Sequence, residues 1–404
     1  MTLALPDFAL EVYLGRHEFS AKHYLCGSDA QTLTVRELLN LANDDEREAF
    51  DRLPLSYTPT WGGQRLLDAI AATYDEVDSE HVLTFAGAEE GIFWAMQRLV
   101  GPGDHAVVVV PTYQATESVP LAAGADVSGL ALDPADGWAL DLDRLRELLR
   151  PDTRLVAVNF PNNPTGALPD RATFTALVEL CEERGIRLFS DEVYRGAEPD
   201  PDRTLPQAAD LSPTALSLNV MSKSYGLPGL RIGWIACRDR TVLERLERGK
   251  HYTSICNSAP SELLAAIALR NRDAIHARVR SLIARNVPSF EAFFADWPDV
   301  SGPAPSTISA RSWSSDRASF CYPAASSALC WLLFREIASA SGSPARAWSP
   351  GSPRSTTSCG GGRDQTGDRC GSAGCATAYD PAGAQTSPCP SPVRPRRVRV
   401  LRDR

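Results

Sequence analysis

The stretch of sequence that decides the fold runs Ser222-Lys223-Ser224-Tyr225-Gly226-Leu227-Pro228-Gly229-Leu230-Arg231-Ile232-Gly233-Trp234. It sets a lysine between two serines and follows it with a turn that contains two glycines and a proline. The chain has only two other lysines, Lys22 and Lys250, and both lie in mixed polar sequence. Small neighbours let an amine approach a ligand closely, and desolvation with nearby cations favours its neutral, nucleophilic form. Lys223 is therefore predicted to be a nucleophile.

Upstream of this stretch, short aliphatic segments alternate with segments of helical period. The runs at residues 106–110 and 155–160 read as strands buried on both faces. Residues 174–181 have helical spacing, with Asp170 as a predicted N-cap and Gly185 just after the last turn. Residues 186–189 form the next predicted strand. This alternation predicts an α/β fold, an open and mostly parallel sheet covered by helices on both faces.

Two further features concern the whole chain. Residues 261–294 have helical period over their length and are predicted to link two lobes. The chain has 404 residues, 43% of them hydrophobic, with a net charge of -9. This acidic balance argues against nucleic acid and anionic membranes as partners, and favours a small metabolite.

The N-terminal sequence and the distribution of cysteines indicate the cellular compartment of the protein. Residues 1–14 have no basic region ahead of an apolar core, and no apolar run approaches the length of a membrane span. The first three quarters of the chain hold four scattered cysteines, Cys26, Cys181, Cys237 and Cys256. Scattered single cysteines are typical of reduced thiols rather than of a disulfide framework. We therefore expect a cytoplasmic protein.

Ligands of open parallel sheets bind beyond the carboxyl ends of the strands, and three loops there carry motifs. Gly87-Ala88-Glu89 opens a helix whose free amides suit a phosphate. Asn162-Asn163-Pro164-Thr165-Gly166 directs an amide side chain across the sheet end. Asp191 and Tyr194 place a carboxylate and a phenol at the same edge. Each motif alone also fits a local role, as a strand-to-helix turn, a plain turn or a helix N-cap.

In this order, the three loops and the lysine segment resemble the class I and II aminotransferases of the aspartate aminotransferase superfamily. These enzymes have fold type I and use pyridoxal 5′-phosphate. The resemblance implies a large cofactor-binding domain over residues 51–260 and a small domain built from both chain ends. Residues 1–50 would supply an N-terminal arm and part of the small domain, and residues 261–300 an interdomain helix and the start of the small domain.

The resemblance assigns contacts to the cofactor ring. Lys223 is implied to form the Schiff base and to move the substrate α-proton. Asp191 is implied to pair with the ring nitrogen, which keeps the ring an electron sink. Tyr194 and Asn163 would hold the ring 3′-oxygen, and Tyr113 would stack on the ring.

A second implied set binds the cofactor phosphate, and it consists of Gly87, Ala88, Glu89, Ser222, Arg231 and Tyr57. Tyr57 is implied to reach the phosphate of the neighbouring subunit, which implies a homodimer. The family often has a hydroxyl residue where this chain has Val220, so phosphate binding would rest more on Ser222. Gly27 and Asn163 are implied to touch the substrate, and no metal is implied.

The resemblance implies transfer of an amino group from an L-amino acid, aspartate by default, to a 2-oxo acid such as 2-oxoglutarate. Two alternatives stay open. The same fold supports lyases and cyclase-type synthases that use pyridoxal phosphate on amino acids. Non-enzymatic regulators join an aminotransferase-like domain to a DNA-binding domain, and the first 30 residues are too short and too acidic for one.

Residues 301–404 depart from this pattern. They are rich in Ser, Arg, Pro and Gly, hold six cysteines and lack a sustained helix or strand period. The family has a small-domain strand there, with the arginine that binds the substrate carboxylate. We interpret the tail as the product of a shifted reading frame, because the shifted codons of Phe320-Cys321-Tyr322 force Leu-Leu and the next codons permit Pro-Gly-Ser-Phe, as in the family. The alternatives are a disordered tail and a cysteine-rich metal module, and the metal module is less favoured, since Cys370 and Cys375 lack the short paired spacing of zinc ligands.

Overall fold

The computed structural model describes residues 4–20 and 27–296, with side chains up to residue 289. The tail of residues 301–404, interpreted as the product of a shifted reading frame, lies outside the described residues. Lys22 and Cys26 lie outside them as well. The helices are α1 (Ala9–His17), α2 (Val35–Leu39), α3 (Asp44–Asp51), α4 (Gln64–Ala71), α5 (Ala88–Leu99), α6 (Gln114–Ala123), α7 (Leu142–Leu148), α8 (Arg171–Glu183), α9 (Ala208–Leu211), α10 (Arg240–Lys250), α11 (Ala259–Arg270) and α12 (Arg272–Asp296). The strands are β1 (Val82–Phe85), β2 (His105–Val110), β3 (Asp126–Ala131), β4 (Thr153–Asn159), β5 (Arg187–Asp191), β6 (Leu216–Val220) and β7 (Gly233–Ala236).

These strands form one sheet in the order β1-β7-β6-β5-β4-β2-β3. Strands β2 to β6 are parallel to their neighbours in that series. Strand β7 is antiparallel to both β1 and β6, so β1 and β6 run in the same direction. The carboxyl ends of β1, β2, β4, β5 and β6 therefore meet at one edge, here called the C-terminal edge. The amino end of β7 lies among them, and the α/β fold class is confirmed.

The core lies on both faces of this sheet. Strand β2 is buried at every position, as its aliphatic run predicts. Helices α5, α6 and α10 pack against one face, and α7 and α8 pack against the other. Each fully buried Val or Leu stabilises the fold by about 1.5–3 kcal/mol relative to exposure. The strands are thus a rigid support for the loops that follow them. Among the described helices, none is long and apolar enough to cross a bilayer.

The helix boundaries confirm two predictions and correct one. Asp170 caps α8, since its carboxylate accepts a hydrogen bond from Thr173 N at 2.7 Å, and Gly185 follows the helix with a φ of 64°. The helical stretch predicted over residues 261–294 is two helices, which break at Asn271. The Asn271 side chain donates to Ile267 O at 2.8 Å and to Leu41 O at 3.2 Å. An asparagine that bonds carbonyl groups in this way competes with the helix backbone.

Candidate active site

The C-terminal edge gathers the predicted site from separate parts of the chain. Asp191 is the last residue of β5, and Lys223 follows β6. Gly87 follows β1, Tyr113 follows β2 and Asn163 follows β4. Because these strands end at the same edge, residues far apart in sequence share one site.

Asp191 is a buried carboxylate in need of a cation. Its side chain is 5% exposed, and Oδ1 accepts a hydrogen bond from Val193 N at 3.1 Å. Burial raises the pKa of Asp191 to about 7, although the Val193 amide and the charge of Lys223 oppose the shift. The residues directly after Asp191 form a turn and not a helix. The alternative that Asp191 is a helix N-cap is therefore wrong. A protonated ring nitrogen is the partner that such a carboxylate lacks.

The loop between β1 and α5 has the form of an anion site. Gly87 has a φ of 96°, which favours glycine, and it precedes the free first-turn amides of α5. A Cβ at Gly233 would lie 2.7 Å from Ala88 N, so β7 packs tightly against this loop. Arg231 lies beside the loop, and its Nη2 donates to Ala86 O at 3.5 Å. A guanidinium and a helix N-terminus together favour a phosphate.

Helix α1 packs on the site through Tyr113. The Tyr113 ring lies 5.1 Å from the ring of Phe8, and its hydroxyl donates to Glu11 Oε1 at 3.1 Å. Glu89 also lies within hydrogen-bonding reach of this hydroxyl. Burial raises the pKa of Glu89 to about 7; the Tyr113 hydroxyl opposes this shift, while Glu11 and Asp191 add to it. This part of the site is therefore acidic, which the sequence reasoning did not foresee.

Lys223 has two partners that the sequence reasoning missed. Its Nζ donates to Asp29 Oδ1 at 2.6 Å and to Ser28 Oγ at 2.8 Å. Besides the nearby cations that we expected, two carboxylates act on the amine, those of Asp29 and Asp191. The sequence position of these partners could have indicated them, because Ser28 and Asp29 directly follow Gly27, which was predicted to touch the substrate.

The other predicted residues fall into two groups. Tyr194 and Ser222 are buried at the same edge. Asn163 is partly exposed, its backbone N donates to Asn159 Oδ1 at 2.7 Å, and the Asn163–Pro164 peptide bond is cis. Tyr57, by contrast, is 88% exposed in the loop before α4. Its predicted role in a neighbouring subunit stays a prediction.

Lys250 differs from its expected environment. It is fully buried at the end of α10, and its Nζ donates to Thr60 O at 2.5 Å. Burial lowers the pKa of Lys250 to about 8, while Glu90 and Glu262 oppose the shift. Residues 57–63, here called the tyrosine loop, are also held by Glu262, whose Oε2 accepts a hydrogen bond from Gly63 N at 2.9 Å. Helical period in α10 did not reveal that this lysine faces inward.

These residues fit pyridoxal 5′-phosphate. Asp191 offers a buried negative charge for the ring nitrogen, and the amides after Gly87 with Arg231 offer an anion site for the phosphate. Lys223 lies between the two with an amine that reaches the same edge. The chemistry of this donor set therefore agrees with the cofactor that the resemblance implied.

Comparisons with known proteins agree with the geometry. The profile of the aminotransferase class I and II family matches residues 24–293. Capreomycidine synthase of Streptomyces vinaceus is 36% identical over 274 residues, 67% of this chain and 70% of that protein. A PLP-dependent aminotransferase from Streptococcus suis has a TM-score of 0.68 and 32% identity, over 74% of this chain and 79% of its own. The PLP-dependent cyclase OrfR has a TM-score of 0.65 and 26% identity, over 74% and 78% respectively. The chain therefore belongs to the class I and II aminotransferases, and its cofactor is pyridoxal 5′-phosphate.

Proposed function

We propose that the chain is an active aminotransferase that moves an amino group from an L-amino acid to a 2-oxo acid such as 2-oxoglutarate. The observation that carries the proposal is the meeting of Lys223, Asp191 and Arg231 at one sheet edge. An amine, a buried carboxylate and a guanidinium serve the three parts of the cofactor that catalysis needs. A regulator without catalysis has no need of all three, which argues against that alternative.

The residues divide the work. When bound, pyridoxal phosphate supplies an electron sink for charge that develops at the substrate α-carbon. Lys223 then accepts the α-proton on Nζ and returns it, because its amine is the basic group of the site. Asp191 keeps the ring nitrogen protonated, and Tyr194 with Asn163 holds the ring hydroxyl. Arg231 and the amides of the β1–α5 loop hold the phosphate.

We propose a donor with a cationic side chain in place of aspartate. Asp29 contacts the lysine amine, and the hydroxyl of Tyr113, the residue implied to stack on the ring, donates to Glu11. A second carboxylate on the donor would be repelled by these groups, whereas a guanidinium or ammonium would pair with them. We therefore expect arginine or lysine to be better donors than aspartate.

The test is amino transfer from a panel of L-amino acids to 2-oxoglutarate and pyruvate, with detection of both products. Lys223→Ala is expected to abolish turnover, because it removes the amine that carries the α-proton. Arg248→Ala, which removes an exposed cationic side chain of α10 away from the site, serves as the control. Full activity in Lys223→Ala would overturn the assignment.

A second candidate is a cyclase-type synthase that uses the same cofactor. The likeness to capreomycidine synthase and to the cyclase OrfR favours it. The two functions differ in stoichiometry, since amino transfer consumes one 2-oxo acid for each amino acid, while cyclisation consumes none. Product formation from an amino acid without any 2-oxo acid would favour the cyclase.

We also propose that the enzyme works as a cytoplasmic homodimer. The large apolar side chains of Leu55, Tyr57, Tyr252 and Ile255 are exposed. Their two segments adjoin, because Thr58 Oγ1 donates to Asn257 O at 3.0 Å. Exposed apolar groups that cluster in this way favour a protein interface. Free, buried Cys181 and Cys237 support a reducing compartment.

A further inference from the structure

The ion pair between Lys223 and Asp29 joins parts of the chain that are 194 residues apart. Asp29 lies in residues 27–34, here called the entry segment, which precedes α2. The entry segment is firmly seated. Ala30 packs against Val279 and Ile283 of α12, and Arg278 donates two hydrogen bonds to Gln31, at 2.8 Å to O and 2.7 Å to Oε1.

The entry segment also contacts the lysine loop directly. A Cβ at Gly226 would lie 2.9 Å from Gln31 O, so glycine is required for the two backbones to approach this closely. The position of Asp29 is therefore fixed from two sides, by α12 and by the loop that carries Lys223. The contact between its carboxylate and the amine is a built feature of the fold rather than a chance meeting of two long side chains.

This contact has a chemical consequence for Lys223. A carboxylate at hydrogen-bond distance favours the ammonium form of an amine. Only the neutral amine attacks the cofactor aldehyde, so capture requires that the ammonium lose one proton. In the condensation a C=N bond replaces the C=O bond of the aldehyde, the two protons of the neutral amine leave with the aldehyde oxygen as water, and the proton lost earlier from the ammonium passes to Asp29 or to solvent.

Other groups contribute to the charge around the amine. Strand β5 contributes Asp191, whose charge interacts with Lys223, and the loop after β5 carries Tyr194. That loop touches the lysine loop through Ser224 N, which donates to Val193 O at 3.3 Å. The Arg231 guanidinium bonds to Ala86 O and Pro228 O, on the phosphate side. Asp29 thus brings a carboxylate from outside the large sheet into hydrogen-bond contact with the amine.

We propose that Asp29 is a positioning residue that aims Lys223 and sets the pH at which the lysine captures the cofactor. The proposal rests on the proposed function, since it needs Lys223 to be the residue that bonds the cofactor. It goes beyond that function because Asp29 touches neither ring nor phosphate in the assignments above. When the substrate displaces Lys223 from the cofactor, the lysine amine returns to the Asp29 carboxylate. The ammonium that forms after proton abstraction therefore has a partner in place.

The experiment measures cofactor capture rather than turnover. Full-length protein freed of cofactor is mixed with pyridoxal phosphate at a series of pH values, and the absorbance of the lysine-bound cofactor is followed. Asp29→Asn keeps the size and a hydrogen-bond acceptor but removes the charge. Its capture profile is expected to shift to lower pH by about one unit, the lower end of shifts caused by one close opposite charge.

Two control variants separate charge from other effects. Ser28→Ala removes the second acceptor of the amine without changing charge, and Asp44→Asn removes a carboxylate from a fully exposed side chain on α3. Neither is expected to shift the profile as Asp29→Asn does. An unchanged profile in Asp29→Asn, or an equal shift in Ser28→Ala, overturns the proposal. Failure of the wild-type chain to capture the cofactor, by contrast, overturns the proposed function.

Discussion

In the cofactor-free chain, the buried environment of Asp191 disfavours its ionised carboxylate. Its pKa is raised to about 7 by burial, well above that of the same group in the unfolded chain. Between those two values the folded chain binds a proton that the unfolded chain does not, so the free energy of unfolding falls as pH rises through this window. Above about pH 7 the buried carboxylate is ionised, and the cost of burying its charge lowers the free energy of unfolding by its full amount.

Asp191→Asn removes this penalty while keeping the shape of the side chain. We expect the cofactor-free variant to be more stable than cofactor-free wild type at pH 8, by on the order of 1–4 kcal/mol, and by less at pH 6. Urea unfolding at the two pH values measures the difference. The same variant is expected to bind pyridoxal phosphate at least about tenfold more weakly, because the ring nitrogen loses its charged partner. Lower stability of Asp191→Asn at pH 8 would contradict this account.

At the scale of single residues, the sequence predicted the side chains whose chemistry is fixed by a motif. Lys223, Asp191 and Arg231 stand at set distances from strand ends, and the structure places all three at one edge. It did not predict Asp29 or Glu11, because their contacts depend on how distant segments pack. Periodicity likewise does not distinguish a buried lysine from an exposed one, since both occur on amphipathic helices.

Among the elements, the tyrosine loop depends on the C-terminal end of α10. Lys250 donates to Thr60 O, and Glu262 accepts from Gly63 N. Lys250→Met keeps most of the apolar stem but removes the donor, and it leaves Glu90 and Glu262 without their nearby cation. We expect faster amide hydrogen exchange in residues 57–63, with the exchange of β2 and β4 unchanged.

The control for this prediction lies on the same helix. Arg248 is exposed, so Arg248→Met makes the same kind of change without touching the tyrosine loop. Equal exchange in the two variants would show that Lys250 does not hold the loop.

Element types were easier to predict than their boundaries and partners. Strands β2, β4 and β5 follow from aliphatic runs that end in polar loops, because a strand buried on both faces must be apolar throughout. The break between α11 and α12 was missed, since the apolar pattern continues through Asn271 and only its side-chain hydrogen bonds end the helix. The antiparallel insertion of β7 between β1 and β6 was also not predicted, as pairing partners are not encoded locally.

For the whole molecule, the proposed dimer makes a prediction about which subunit each residue serves. In a hybrid dimer of Lys223→Ala and Tyr57→Phe subunits, one site loses both groups if Tyr57 acts across the interface. The other site keeps both. We expect mixed and reassembled variants to recover about a quarter of wild-type activity at limiting cofactor, from the symmetry of the two sites.

A different result is expected if Tyr57 does not act across the interface. If Tyr57 serves its own subunit, each site in the hybrid lacks one group, and mixing restores nothing. Different affinity tags on the two variants, purified in sequence, establish that hybrids have formed. A monomer at all concentrations would contradict the dimer itself.

The tail provides a second prediction for the whole molecule. The family match ends at residue 293, close to the change of composition near residue 300. Resequencing the gene across residues 290–404 is expected to find an inserted or deleted base near residue 300. The corrected frame would encode a small domain with its carboxylate-binding arginine. If the frame is confirmed as written, we expect a protein that binds the cofactor but turns over poorly.

The place of β7 in the sheet also sets the order in which the site can be completed on the ribosome. Strand β1 is made early, yet its partner in the sheet begins at Gly233. Until β7 has emerged, the facing edges of β1 and β6 have no strand between them, and such edges invite pairing with other chains. Nascent chains that end before β7 therefore lack the lysine loop or the strand that seats it, and we expect them to be unable to hold the cofactor.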